Sequence, residues 1–315
     1  MGLPESKRLK SAANASILRA KCDSKRLVAF HTAVALVLSL AALAIDFALE
    51  QKIGNTGGLS GVGTRSVLET VQQVLQQAQV IAWPFWQVGW LYATVKIARR
   101  EATDKKDLAE GFRRFPGFLR LMILKALIFF GLALGAAYAA SFIVMMLPMS
   151  NTMTTMMNPN ITEVELMALL EPLMLPLAVI SGVLSLALCV PFFYRFRMAE
   201  YFLLDNPQLG ARAALRGSGL LMRGNMWKLV RLDLSFWWFW LLQLAVSAIS
   251  AMAVILPLAG IQMPWGAEIS EFIAYLLSAV AQLALYYFCK AQLDVTYAHA
   301  YLALLPKEEE KYESH

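Results

Sequence analysis

Lysine and arginine are missing from residues 126–194 and again from residues 232–289. Charged residues make up only 16% of the 315-residue chain and hydrophobic ones 58%, whereas about a quarter of an average soluble protein is charged. Each base-free block has room for two helices of about 20 residues, the length that crosses a hydrocarbon core of roughly 30 Å. A water-soluble fold would interrupt such runs with solvated faces. The scarcity of charge therefore excludes a soluble globular protein and predicts an all-α, polytopic membrane protein.

Cysteine is equally scarce. Cys22, Cys189 and Cys289 stand alone, without CxxC spacing or a pairing framework, and read as buried thiols that act as small apolar residues. Catalytic signatures are lacking too: no nucleophile elbow, no HExxH pair, no kinase-type loop and no metal-spaced carboxylates. "GNTGGLSGVG", residues 54–63, is glycine-rich but has neither P-loop nor dinucleotide-binding spacing, so it reads as a flexible loop. No enzymatic activity and no cofactor are expected. Nucleic acid is not an expected partner either, because the bases flank apolar runs instead of lining a groove with stacking aromatics.

What the chain does contain is an alternation. Six spans can be marked at roughly residues 27–49, 78–98, 119–147, 173–194, 232–257 and 270–290. The first, third and fifth connections between them carry only Lys52 and Arg65, and the other bases, of 28 in total, fall in the remaining polar segments. By the positive-inside rule both termini are cytoplasmic. Residues 1–26 then form a basic N-terminal segment, 27–305 the six-span domain and 306–315 a charged tail. A signal peptide cleaved after Ala42-Leu43-Ala44 is the competing reading of the first span. The basic stretch before it is long for a signal, and removing the span would spoil the alternation, so a retained span is favoured.

Short amphipathic helices precede the odd-numbered spans. Leu9, Ala13, Ile17 and Ala20 recur at helical spacing, as do Leu108, Phe112 and Phe115, with Arg113 and Arg114 facing elsewhere. A third such helix follows Asp205-Asn206-Pro207, where asparagine suits a cap and proline the first helical position. In it Arg212 and Arg216 form one stripe, with Ala213, Ala214, Leu220 and Leu221 on an apolar side. The chain thus reads as three parallel two-span repeats: amphipathic helix, span out, outer loop, span back.

Residues 201–242, "YFLLDNPQLGARAALRGSGLLMRGNMWKLVRLDLSFWWFWLL", carry a resemblance to a bacterial integral-membrane family, domain of unknown function 975. The Asn-Pro, the Ala-rich helix, the Met-x-Gly turn and the Leu-x-Leu-Ser-Phe approach to a Trp-rich span are similar to the family's. "DLAEGFRRF" at 107–115 resembles its first cytoplasmic loop. The resemblance implies six spans in a bacterial inner membrane and brings no activity, substrate or functional residue.

Within the spans, Gln87, Gln243 and Gln282 fall near mid-depth, where amides either bond across helices or line a substrate path. Asp46 and Asp233 are the intramembrane acids, expected at opposite faces, and such acids default to functional hypotheses. Pairing with Arg231 or with a neighbouring cytoplasmic helix is the preferred role for Asp233. His31 reads as a hydrogen-bonded structural histidine. Pro84 predicts a kink or local unwinding, and Gly131, Gly135 and Ala139 form a small-residue packing ridge. "ITEVELMALLEPL", with Glu163, Glu165 and Glu171, reads as a helix lying on the bilayer. Met145, Met146, Met149, Met153, Met156 and Met157 cluster at the outer end of the third span. Thioethers are soft enough for Cu(I), but methionine also fills apolar gaps, and no metal is expected.

Arg212, Arg216, Arg223, Lys228 and Arg231 are the expected contacts to anionic lipid headgroups or a partner. The function expected is a non-enzymatic, membrane-organising or accessory component partnering lipids and other membrane proteins, its oligomeric state left open. The alternatives are a small permease or exporter with a glutamine-lined path and, third, a Cu(I)-handling protein.

Overall fold

The computed structural model describes residues 3–20, 24–34, 36, 37, 40, 41, 61–146, 163–258 and 267–305. Among them every regular element is helical. In chain order these are α1 (Ser6–Arg19), α2 (residues 24–34), α3 (Gly61–Ala98), a 3-10 turn (Lys105–Ala109), α4 (Glu110–Arg113) and α5 (Phe115–Met146). Then follow α6 (Glu163–Phe196), α7 (Ala199–Asp205), α8 (Ala211–Leu221), α9 (Met226–Leu234), α10 (Trp237–Leu258) and α11 (Ala267–Leu285). A π-helical turn (Tyr286–Lys290) leads without a break into α12 (Ala291–Leu304).

Three stretches are long and apolar enough to cross a bilayer: Phe115–Val144, Met174–Asp205 and Ile273–Leu304. The pair Met226–Leu234 and Trp237–Ile249, bent by 59°, is a fourth if counted as one broken span. These overlap the expected third, fourth, sixth and fifth spans. The second expected span lies in α3, which has the length but is not among the helices apolar enough; it stays helical through Pro84. Most of the first expected span lies outside the described residues, as do Asp46, Cys22, Met149, Met153, Met156 and Met157.

The chain divides into two compact units, Met1–Phe115 with Trp227–His315, and Pro116–Met226. In the first, α12 is the central element: it packs against α1 and α3 and buries Leu293, Val295, Tyr297, Ala298, Tyr301 and Leu304. The α1 face predicted from spacing is the one used. Leu9 and Ala13 are buried, joined by Ser16, whose hydroxyl shares a 2.9 Å hydrogen bond with His299. That face is therefore covered by protein.

The docking of α3 on the 3-10 turn and α4 is a contact between backbones. A Cβ on Gly89 would stand 1.8 Å from the Leu108 carbonyl oxygen, and one on Gly111 would stand 2.0 Å from that of Phe85. Only glycine allows so close an approach. Leu108 is fully buried as expected, but the single helix read over 108–115 is instead a 3-10 turn and one helical turn, broken at Arg114. The cause is local. The Asp104 side chain accepts from the Lys105 N–H at 2.7 Å while Asp107 accepts from the Asp104 N–H at 2.8 Å, a reciprocal cap that starts the chain afresh. Phe112 and Phe115 both turn to the Phe85 ring, at 6.2 and 4.4 Å.

In the second unit α8 is latched to the α6–α7 turn by Ser218. Its hydroxyl donates to the Arg195 carbonyl at 2.7 Å and accepts from the Met198 N–H at 3.2 Å. The apolar side of α8 is corrected to Ala211, Ala214 and Leu215 with Ser218; Ala213 and Leu220 are exposed. Packing under the Phe202 ring, which lies within 3 Å of a Cβ built on Gly217, sets that rotation. Lys125 of α5 pairs with Glu200 of α7 at 2.5 Å.

Three further expectations change. The segment from Glu163 is not a separate surface helix but the start of the 34-residue α6, which at 1.5 Å per residue is about 50 Å long. Residues 61–63 belong to α3, not to a glycine loop. The ridge of Gly131, Gly135 and Ala139 is exposed, and nothing lies within 4 Å of a Cβ on either glycine. The small residues that are buried on α5 are Ala136 and Ala140.

Candidate functional site

Residues 221–242 prove to be a jointed support. At Ser235 and Phe236 the helix breaks between α9 and α10. A break leaves carbonyls without helical partners, and here a cation from another element supplies one. Lys10 of α1 donates to the Ser235 carbonyl at 2.7 Å and lies 3.9 Å from the centre of the buried Phe236 ring. Burial pulls the Lys10 ammonium below the ordinary lysine value. One turn earlier the Tyr297 hydroxyl of α12 donates to Asp233. Asp233 thus ties α9 to the C-terminal helix.

The three glutamines expected near mid-depth are resolved in part. Gln243 of α10 and Gln282 of α11 exchange two hydrogen bonds, at 2.9 and 3.0 Å, so each amide serves as the other's donor and acceptor. That is a cross-helix clamp. Gln87 is half-buried on α3 and does not join it.

All five bases expected to meet headgroups are exposed: Arg212, Arg216 and Arg223 in the second unit, Lys228 and Arg231 in the first. None of them forms an ion pair with a described residue. By contrast three more buried bases are matched, Lys96 to Asp107 at 3.0 Å, Arg114 to Glu110 at 2.7 Å and Lys290 to Asp294 at 2.8 Å. Trp227, Trp237 and Trp240 are exposed on the same stretch, whereas Phe236 and Phe239 turn inward.

The densest chemistry surrounds His31. Trp83, Trp86 and Trp90 recur at i, i+3 and i+7, which aligns them on one face of α3. The His31 ring stacks on Trp86 at 5.4 Å with 8° between planes, and Trp90 and Trp83 stand at 5.4 and 6.0 Å. Trp86 spends its own N–H on the His31 carbonyl at 3.1 Å. Trp90 donates to Asp294 at 2.5 Å, and the same carboxylate oxygen pairs with Lys290 at 2.8 Å. Lys290 closes the π-helical turn and lies 5.0 Å from the Tyr286 ring centre. Leu27, Val28, Ala93, Leu108 and Ala291 seal the cluster.

His31 itself corrects an expectation. Its ring is fully buried, and neither nitrogen has a hydrogen-bond partner among the described residues. A buried polar atom left unpaired costs about 1–3 kcal/mol, so a merely structural histidine would be paired. Among the described residues no group of three His, Cys, Asp or Glu side chains could hold a metal ion, and Met145 and Met146 are placed only as the last turn of α5.

Comparison with known proteins adds one finding. Residues 4–302 match the family described as Protein of unknown function (DUF975). The chain belongs to that family. No curated protein and no solved structure matches it.

That family span includes the Asn-Pro turn, the jointed α9–α10 stretch and the His31 cluster alike. Sequence reasoning named Asp233, Gln243 and Gln282 but passed over Asp294, Lys290 and the Trp83–Trp86–Trp90 face. The tryptophan spacing was the available signal.

Proposed function

We propose that this family member is a non-enzymatic integral membrane protein of the bacterial inner membrane, working as an accessory or organising component through its basic cytoplasmic face. On this reading the chain spans the bilayer six times as three parallel two-span repeats, with both termini in the cytoplasm. The observation that carries the reading is the contrast between bases. Lys96, Arg114 and Lys290, all less exposed, are neutralised by carboxylates, while Arg212, Arg216, Arg223, Lys228 and Arg231 stand exposed without an ion pair among the described residues. Charges kept free beside long apolar helices suit anionic headgroups or an acidic partner, each base contributing about 1 kcal/mol near such a surface.

Reversing Arg212, Arg216 and Arg223 to glutamate tests it. Native mass spectrometry of protein extracted into nanodiscs of mixed zwitterionic and anionic lipid reads the anionic lipid retained. Three lost contributions lower that affinity on the order of a hundredfold, with the melting behaviour unchanged. Equal retention by the variant rejects the role of this face.

A permease lined by Gln87, Gln243 and Gln282 has less support, because two of the three amides satisfy each other. The Cu(I) reading rests on thioethers of which four lie outside the described residues.

A further inference from the structure

We propose that His31 is a proton-binding site whose occupancy sets how α12 docks on α2 and α3. The inference goes beyond the headgroup reading and does not depend on it. Two independent features meet there: a fully buried imidazole with both nitrogens unpartnered among the described residues, and a carboxylate–ammonium pair, Asp294 and Lys290, joined to the same cluster through Trp90, whose ring stands 5.4 Å from that of His31. A proton is the ligand class that fits, because the ring is enclosed by Trp83, Trp86 and Trp90.

The step is a proton transfer alone. Hydronium reaching the Asp294–Lys290 side gives its proton to the lone pair of a His31 nitrogen, an N–H bond forms, and water is released; no electrons change hands. The imidazolium then presents two N–H donors and needs an acceptor. Asp294 is the carboxylate held on Trp90 beside the ring, and it is at present shared between Trp90 and Lys290. Drawing it toward His31 loosens Lys290, the last residue of the π-helical turn. Single π turns inside α-helices frequently sit at functional positions, and this one can take up a change of register between α11 and α12.

The other charges nearby are committed elsewhere. On the 3-10 turn Lys105 lies over the Phe30 ring at 5.1 Å and Asp107 holds Lys96. The contribution of α1 to this core is the apolar Ile17.

The chain has three histidines, so full-length protein labelled with 15N-histidine in nanodiscs gives few enough signals to assign. His299→Gln and His315→Gln identify the His31 signals by elimination. The expected result is that they pass from a neutral tautomer to imidazolium as pH falls, with tryptophan fluorescence quenched in parallel. Asp294→Asn moves the midpoint to lower pH and Lys290→Gln to higher pH, each changing proton affinity about tenfold. Should Asp294→Asn fail to fold, Lys290→Gln and the native protein carry the comparison. His31 signals that stay neutral at every pH where the fold persists, or a midpoint that neither substitution moves, overturn the proposal.

Discussion

Gly89→Ala leaves little or no folded protein, and Gly111→Ala does the same. The methyl group at position 89 falls 1.8 Å from the Leu108 carbonyl oxygen and 2.5 Å from its carbon, and at position 111 it falls 2.0 Å from the Phe85 oxygen. These are backbone atoms, so no rotamer change relieves the overlap. Ordinary overpacking costs about 1–3 kcal/mol because side chains give way. Here a helix and a capped turn must separate, which uncovers Leu108, Phe85 and the core around Trp90, and the cost exceeds about 4 kcal/mol, the range reserved for such disruptions. The measurement is the fraction of detergent-extracted protein that stays monodisperse on heating. Gly131→Ala and Gly135→Ala are the controls: nothing lies within 4 Å of either added methyl, and alanine is the better helix former by roughly 1 kcal/mol. Those two variants keep or raise the native stability.

Asp294→Ala is the second severe substitution. The carboxylate accepts the Trp90 N–H and neutralises Lys290, and both groups are largely buried. Removing one partner of a buried pair costs about 3–5 kcal/mol, mainly because the other charge is left uncompensated. For a chain of this size that lowers the thermal midpoint by about 10 °C. Asp294→Asn is milder, since an amide oxygen still accepts from Trp90. Adding Lys290→Met to Asp294→Ala restores part of the loss, because the stranded ammonium is gone. A double variant no more stable than Asp294→Ala alone would show that the carboxylate works through Trp90 and not through Lys290.

How much of this was legible depends on how local each feature is. The long apolar helices follow from composition alone: the 173–194 expectation falls inside α6, and α5 takes up the 119–147 expectation as far as Met146. The face of α1 followed from 3.6-residue spacing, since Leu9 and Ala13 report on one helix only. Gln243 and Gln282 were placed at one depth by counting residues from span ends, and they meet. The joint at Ser235 was not readable, because its brace is Lys10, 225 residues away in sequence. Gly89 and Gly111 were invisible for a different reason. A backbone contact leaves no side-chain pattern, and a glycine in a helix looks the same whether it is crowded or free. At Tyr286–Lys290 the π-helical turn shifts the helical phase, so periodicity carried forward from α11 misplaces Asp294 relative to Trp90. The reversed apolar side of α8 shows the limit of spacing arguments: Ala213 and Ala214 are equivalent in composition, and the Phe202 ring under Gly217 decides between them.

The central claim is a six-span protein with all its basic connections on one side, and impermeant-thiol labelling tests it most directly. Cys22, Cys189 and Cys289 are first replaced by alanine. Single cysteines are then placed by Asn55→Cys, Asn158→Cys and Gln262→Cys in the base-poor connections, and by Thr103→Cys and Gln208→Cys in the basic ones. In intact bacterial spheroplasts an impermeant maleimide labels positions 55, 158 and 262, and labels 103 and 208 only after lysis. Labelling of position 103 or 208 from outside, or protection of position 158 between α5 and α6, would contradict the account.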